Sequence, residues 1–115
     1  MDSYVPDAGD LVKLDFTPQA GSEEAGWRPG LVLSPASYNG RSGLMIVCPV
    51  TNQVKGYPFE VPLPPGLQIQ GVVLVDHIKS LDWIARRTIK KDTAPQAVID
   101  DVFAKLSTLL PINNS

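Results

Sequence analysis

The sequence predicts an α+β fold, in which an antiparallel β-sheet is curled or closed into a small barrel and one C-terminal amphipathic helix packs on it. Two observations predict this. Five or six short apolar segments, bounded by glycine and proline, follow one another from residue 11 to residue 87. Only the final segment, residues 94–110, has apolar residues at helical spacing, so strands and helices do not alternate as they do in a parallel sheet.

The composition is that of one folded domain. The chain has 115 residues, of which 43% are hydrophobic and 19% charged, and this size suits a single core over residues 1–115. The longest uncharged run, residues 61–75, is interrupted by three prolines and two glycines, so we expect no membrane span. Residues 1–4 lack the basic and apolar stretches of a secretory signal, which predicts a cytoplasmic location.

Cys48 is the single cysteine. It therefore excludes an intrachain disulfide and a zinc site built from several cysteines of one chain. We interpret it as a small apolar side chain of a strand.

Side-chain alternation predicts the strands. Residues 11–16 place Val12, Leu14 and Phe16 on one face, which is typical of a half-buried strand. The apolar runs at 31–34 and 71–75 indicate more buried strands. The remaining predictions are a strand at 44–50, an edge strand at 57–63 with prolines on its outer face, a connection at 37–43, and a short extended segment or turn at 78–87.

The helix prediction depends on its first turn and its periodicity. Thr93-Ala94-Pro95-Gln96 matches a capping box with proline in the first turn. Apolar residues then recur at helical spacing, namely Val98, Ile99, Val102, Phe103, Leu106 and Leu110. This spacing predicts a helix over residues 94–110 that ends before Pro111.

The net charge of −2 and the pI of about 5.2 argue against a protein that coats nucleic acid through bulk charge. Any binding of nucleic acid must therefore use a local cluster of basic residues. The basic residues do cluster, because Arg86, Arg87, Lys90 and Lys91 fall within six positions.

Arg28 is the first candidate for function. It follows an acidic, glycine-containing loop at residues 21–26 and precedes an apolar strand, so it lies at the mouth of that strand. A guanidinium group matches phosphate oxygens and stays charged, which makes Arg28 a candidate phosphate ligand. The alternative is a structural ion pair with Glu23 or Glu24.

Several segments carry a resemblance to a known family: Tyr4-Val5-Pro6-Asp7, Gly9-Asp10-Leu11, Gly21-Ser22-Glu23, Arg28-Pro29, Val32-Leu33-Ser34-Pro35, Lys55-Gly56-Tyr57-Pro58-Phe59-Glu60-Val61 and Lys79-Ser80. Over nearly the whole chain they resemble the MazF branch of the MazF/PemK toxin family. The resemblance implies an SH3-like barrel, a homodimer, and sequence-specific cleavage of single-stranded RNA with no metal or other cofactor. It also implies a MazE-type antitoxin as the protein partner.

Metal-free cleavage through the ribose 2′-OH needs a base, an acid and positive charge for the phosphorane. His77 is the only histidine, so a two-histidine site within one chain is excluded. By resemblance, Arg28 and Thr51 take the principal catalytic positions, where Arg28 stabilises the phosphorane and the Thr51 hydroxyl donates to the scissile phosphate. For Thr51 the alternative is a turn-forming role.

The resemblance also concerns three further polar residues. Glu23 matches an acidic position where it would orient Arg28 or help to move a proton, and a solvated loop charge is the alternative. Asp76 takes the position of a presumed base in a related branch, but His77 follows it where MazF proteins usually have Gln. We therefore place Asp76 and His77 among the predicted RNA contacts.

The other predicted RNA contacts are Trp27, Asn52, Gln53, Lys55, Tyr57 and Arg86. Amides and hydroxyls recognise unstacked base edges, and aromatic rings stack on bases. Asn52 stands where close relatives often have Thr or Ser. The RNA sequence that those relatives recognise therefore cannot be assigned to this protein. The alternatives are a buried or interface position for the aromatic residues and a solvated basic face for Arg86.

Two other function classes are compatible with this fold. A toxin that inhibits DNA gyrase by binding would act through an apolar, aromatic C-terminus, which Asn113-Asn114-Ser115 does not supply. A non-catalytic SH3-like binding module would use Arg28 and Thr51 only for partner affinity. The sequence favours the endoribonuclease.

Overall fold

The computed structural model describes residues 4–16 and 26–111. Its strands are β1 (Asp10–Asp15), β2 (Trp27–Val32), β3 (Leu44–Thr51), β4 (Glu60–Pro62), β5 (Val72–Leu74), β6 (Lys79–Asp82) and β7 (Ile89–Thr93). Its helices are α1 (Ala36–Ser42) and α2 (Gln96–Leu109), and a 3-10 turn covers Val75–His77. The predicted combination of a sheet and a C-terminal helix is confirmed.

The strands form an antiparallel sheet in the order β4-β5-β3-β2-β1-β7, with β6 paired to β3. Strand β3 is its centre because it has three neighbours. Its first half pairs with β6, its middle with β2, and its last two residues, Val50 and Thr51, with Val73 and Val72 of β5. Strand β4 lies at one end of the order, as the prolines of residues 57–63 predicted.

Apolar side chains of β1, β2 and β3 are buried on both faces of the sheet. On one face, Leu11, Leu31 and Cys48 pack with the residues of α2 that point inward, which are Val98, Val102 and Leu106. On the other face, Val12, Leu14, Val32, Met45 and Val47 pack beneath Tyr4, Phe16, Leu81 and Trp83. Full burial of each such aliphatic side chain contributes about 1.5–3 kcal/mol, so these two clusters hold the central strands in place.

Helix α1 occupies most of the segment that was predicted only as a connection at 37–43. The side chain of Asn39 is fully buried and donates to the carbonyl oxygens of Pro6 (2.7 Å) and Ser34 (2.9 Å). Its Oδ1 accepts from the Ser34 hydroxyl at 2.6 Å, and its backbone carbonyl accepts from Nε1 of Trp83 at 2.8 Å. These distant partners stabilise the helix despite its Asn-Gly pair.

The capping-box prediction for α2 is wrong. Its N-cap is Pro95, which has no side chain that can accept a backbone N–H, and Thr93 belongs to β7. Helix α2 therefore begins at Gln96, two residues later than predicted.

Strand β7 was not predicted, because its lysines were interpreted as part of a basic cluster. It pairs with β1, where Leu11 lies opposite Asp92 and Val12 opposite Lys90. The ammonium of Lys90 lies 3.4 Å from the buried carboxylate of Asp10. Pairing with β1 and this ion pair together place Lys90 in the sheet.

Neither α1 nor α2, nor any other helix in the part of the chain that the structure describes, combines the length and apolar character that a membrane crossing requires.

Candidate active site

Arg28 and Thr51 lie at the same edge of the sheet because β2 begins where its antiparallel neighbour β3 ends. The last paired residues at this edge are Gly30 and Pro49, so Arg28 and Thr51 each lie two residues beyond the end of the pairing. Both residues line one cleft of about 340 Å³, whose walls are Arg28, Pro29, Val50, Thr51, Asn52 and Gln53. The side chain of Arg28 is exposed and that of Thr51 is half-buried. One cleft thus has both an arginine and a threonine in its lining.

The side chain of Thr51 has a fixed local partner. Its Oγ1 accepts a hydrogen bond from the backbone N–H of Gln53 at 3.1 Å, which is the turn-forming contact weighed above as its alternative role. A hydroxyl oxygen that accepts one hydrogen bond still carries its own proton as a donor. The turn contact therefore orients the hydroxyl and leaves its O–H for a ligand.

A second cleft, of about 130 Å³, adjoins the first. Thr51 and Gln53 line both clefts, and the rest of the second is formed by Lys55, Tyr57, Glu60, Leu74, Asp76 and His77. Tyr57 is 61% exposed, so its ring is open to solvent at this cleft. The structure thus brings together Arg28, Thr51 and six predicted RNA contacts, namely Asn52, Gln53, Lys55, Tyr57, Asp76 and His77.

Glu60 holds the loop between β3 and β4 in shape, a role that sequence reasoning missed. Its carboxylate accepts from the backbone N–H of Gly56 at 2.9 Å and from that of Lys55 at 3.1 Å. Because these are charge-assisted bonds, they constrain the loop that carries Lys55 and Tyr57. The sequence predicted only an edge strand at residues 57–63, and no sequence pattern specified the backbone partners of Glu60.

Asp76 and His77 lie on the 3-10 turn that follows β5. Asp76 Oδ1 and His77 Nε2 are 3.9 Å apart, and each side chain is about half exposed. The turn is tied to the central strand by Cys48, whose Sγ lies 3.8 Å from the carbonyl oxygen of Val75. Burial, and to a lesser extent the charge of Asp76, raises the pKa of the Cys48 thiol to about 12. The thiol is thus protonated at neutral pH, in agreement with its interpretation as an apolar core side chain.

Trp27 and Arg86 lie outside the linings of these two clefts. Trp27 is half-buried, and the guanidinium carbon of Arg87 lies 5.7 Å from the centroid of its ring, within the range of a cation–π contact. Arg86 is also half-buried, and its Nη1 donates to the carbonyl oxygens of Phe16 (2.7 Å) and Asp15 (3.1 Å). Arg86 therefore fastens the end of β1.

Glu23, the third predicted catalytic residue, lies outside the described residues, so its role stays a prediction. Among the residues that are described, no cluster of three or more His, Cys, Asp or Glu side chains is arranged to hold a metal ion.

Comparison with known proteins decides the family. Residues 7–110 match the family model of the PemK-like, MazF-like toxins of type II toxin-antitoxin systems. The chain belongs to this family. The match includes Arg28, Thr51 and every residue that lines the two clefts.

Individual members of the family are similar over almost the full chain. The endoribonuclease toxin MazF of Escherichia coli strain K12 is 48% identical over 107 residues, which is 93% of this chain and 96% of that protein. The crystal structure of MazF (Form-I) from Deinococcus radiodurans is 59% identical, has a TM-score of 0.87, and covers 96% of this chain and 100% of its own. The crystal structure of MazE-MazF (Form-III) from the same organism is 58% identical with a TM-score of 0.88 and the same coverage.

Proposed function

We propose that this protein is the endoribonuclease toxin of a type II toxin-antitoxin system and that it cleaves single-stranded RNA at specific sequences. The observation that carries the proposal is the placement of Arg28 and Thr51 in one cleft, at the adjoining ends of β2 and β3. Membership of the PemK-like, MazF-like family and the high identity to an endoribonuclease MazF support the same activity.

The proposed reaction is an intramolecular phosphoryl transfer. The ribose 2′-oxygen attacks the adjacent phosphorus and loses its proton to a base, while the bond from phosphorus to the 5′-oxygen breaks and that oxygen gains a proton. The products are a 2′,3′-cyclic phosphate and a 5′-OH end. All atoms and protons are accounted for without a metal or another cofactor.

In this reaction Arg28 stabilises the charge that develops on the phosphorane oxygens. A guanidinium fork donates two parallel hydrogen bonds to a phosphate group, and a preorganised cation of this kind is often the largest single contribution to catalysis. The hydroxyl of Thr51 donates its proton to the same phosphate, while its oxygen accepts the hydrogen bond from the backbone N–H of Gln53. Glu23 orients Arg28 or assists proton transfer.

The second cleft takes the nucleotides next to the scissile phosphate. Tyr57 offers an exposed ring for base stacking, and the amide side chains of Gln53 in this cleft and of Asn52 in the first cleft offer donors and acceptors for base edges. Lys55 lies where it can bind a backbone phosphate. Asp76 and His77 complete the lining of this cleft. Trp27 remains a predicted RNA contact beyond it, whereas the hydrogen bonds of Arg86 to the end of β1 favour a structural role over its predicted RNA contact.

The proposed assembly is a homodimer in the cytoplasm, held inactive by a MazE-type antitoxin. The similarity to the MazE-MazF structure over 96% of this chain supports the antitoxin. Large apolar side chains on α2 and at its end stay exposed in the single chain, such as Phe103 (48%) and Leu110 (58%), and a protein interface would cover them.

Mapping the cut ends of a mixed-sequence RNA tests the activity directly. Purified protein is incubated in EDTA with long single-stranded RNA, and the new 5′ ends are sequenced with and without prior phosphorylation by a kinase. We expect ends that require the kinase for ligation and that share one short sequence, and no cutting by an Arg28→Ala control. Cleavage that depends on added Mg²⁺, ends that already carry a 5′-phosphate, or no cutting would overturn the proposal.

A further inference from the structure

Gly71 lies directly against the backbone of Thr51. Its φ is +117°, a conformation that side-chain-bearing residues rarely adopt. A Cβ atom at position 71 would lie 2.1 Å from the carbonyl oxygen of Thr51 and 2.8 Å from its carbonyl carbon. It would also lie 3.1 Å from Oδ1 of Asn52. Two successive residues of the candidate active site thus occupy the space that any side chain at position 71 would need.

Pairing of Gly71 and of the next residue restrains the backbone at position 71. Its carbonyl oxygen accepts from the backbone N–H of Leu63 at 2.9 Å. The next residue, Val72, pairs with Thr51 on one side and with Pro62 on the other. A side chain at position 71 would therefore change the position of Gly71 relative to Thr51 and Asn52 at the end of β3.

We propose that Gly71 is a positioning residue for catalysis. Because it has no side chain, the end of β3 can pack against it and hold the Thr51 hydroxyl and the Asn52 amide in their places. The inference rests on the proposed function of Thr51. To reach even 3.0 Å, below which such contacts are essentially never seen, the Thr51 carbonyl would have to retreat by about 1 Å from the added Cβ. A misplacement of this size in a catalytic group can lower a rate by about 100-fold.

Gly66 supplies a matched control in the same loop. Its φ is +95°, so alanine there meets a comparable backbone strain, but nothing lies within 4 Å of the position of its Cβ. A Gly66→Ala variant therefore reports the effect of strain alone. A Gly71→Ala variant reports strain together with displacement of Thr51.

The test compares single-turnover cleavage of a mapped RNA substrate by the wild-type protein and the two variants, at a temperature where circular dichroism shows each to be folded. We expect Gly66→Ala to cut at the wild-type rate. Gly71→Ala should cut about 100-fold more slowly even when the protein is in saturating excess over the RNA, because the loss is then in the cleavage step and not only in binding. Equal rates for Gly71→Ala and Gly66→Ala would overturn the proposal.

Amide spectra supply a readout that does not depend on activity. In ¹H–¹⁵N spectra of Gly71→Ala, the signals of Thr51, Asn52 and Gln53 should shift more than those of the distant helix α1, and in Gly66→Ala they should not. Slow cleavage with unmoved Thr51 and Asn52 signals would contradict positioning. If the wild-type protein does not cut RNA at all, the proposed function fails, whereas a normal wild-type rate with an active Gly71→Ala rejects only the role of Gly71.

Gly71→Asn provides a second variant if Gly71→Ala does not fold. Asparagine adopts positive φ more readily than alanine, but it carries the same Cβ toward Thr51. A folded Gly71→Asn protein should show the same slow cleavage. If both variants fail to fold while Gly66→Ala folds, Gly71 is required for folding and the proposed role in catalysis is rejected.

Discussion

The hydroxyl oxygen of Thr51 accepts a hydrogen bond from the backbone amide of Gln53, at 3.1 Å. This bond joins the last residue of β3 to the loop that lines both clefts. Thr51 could serve only to form the turn, or it could also bind phosphate. Both roles use the hydroxyl oxygen as the acceptor of this hydrogen bond. Only the second role needs the proton of the hydroxyl as well.

Substitutions of Thr51 separate these roles. Thr51→Val removes the hydroxyl and keeps the shape, so we expect cleavage to fall by roughly 10²–10³-fold, the usual effect of losing one preorganised donor. Thr51→Ser keeps the hydroxyl and should retain most activity. Cleavage rates measured beside urea denaturation curves check this, and a Thr51→Val protein that is less stable but fully active would assign Thr51 to the turn alone.

Arg86 is expected to stabilise the fold more than it binds RNA. Arg86→Met removes charge-assisted hydrogen bonds to two backbone carbonyls, which typically contribute about 1.5–3 kcal/mol. Because Arg86 is only half-buried, we expect a loss near the lower end of that range in urea denaturation. Arg41→Met, at an exposed arginine of α1, is the matched control.

The salt dependence of RNA binding distinguishes the two roles of Arg86. If Arg86 contacts a phosphate, its removal lowers the slope of log K against log salt by about 0.7. We expect an unchanged slope together with lower stability. An altered slope at full stability would instead support the RNA contact that the sequence predicted.

Cys48 should be unreactive in the folded protein. Burial raises the pKa of its thiol to about 12, so almost no thiolate is present at pH 8, and its access to reagents is blocked as well. Iodoacetamide should therefore label the protein only after unfolding in urea, as measured by mass spectrometry. Rapid labelling of the native protein at pH 8 would contradict the placement of Cys48 in the core.

Asp92 should make the stability of the fold sensitive to acid. Its carboxylate accepts from the backbone N–H groups of Gln68 and Thr93, and these bonds lower its pKa below the ordinary 3.8. A carboxyl whose folded pKa is depressed stabilises the protein above its unfolded pKa, and the contribution disappears as the pH falls through the folded pKa. The loop that carries Gln68 leads directly to Gly71.

Asp92→Asn provides the measurement for this effect. Urea midpoints of the two proteins should differ at pH 7 and converge below the folded pKa of Asp92, because the wild-type carboxyl is then protonated as well. A difference that stays constant from pH 7 to strongly acid pH would show that ionisation of Asp92 has no part in it.

Local patterns were sufficient for the strands whose side chains alternate or form apolar runs, and for most of α2. They failed where distant partners decide the structure. Helix α1 depends on Asn39 and its bonds to Pro6 and Trp83, and β7 depends on its pairing with β1. Neither relation leaves a periodic signal in the sequence.

In the candidate site, too, some residues were predicted from the sequence and others were missed. The family resemblance assigned Arg28 and Thr51, and the structure brings them into one cleft. The residues that hold this site in shape were missed, because Glu60 acts through the backbone of its loop and Gly71 through the space it leaves open. Such roles depend on three-dimensional contacts between segments and are visible only in the folded chain.

Cleavage of single-stranded RNA in EDTA by Arg28 variants tests the central claim most directly. We predict that the wild-type protein cuts, that Arg28→Ala loses at least about 100-fold in rate, and that Arg28→Lys recovers only part of it, because an ammonium lacks the planar fork of the guanidinium. Urea denaturation of the three proteins identifies the conditions in which each is folded, and the rates are compared there. An Arg28→Ala protein that is folded and cuts RNA at the wild-type rate would contradict the claim that Arg28 is the centre of the phosphate chemistry.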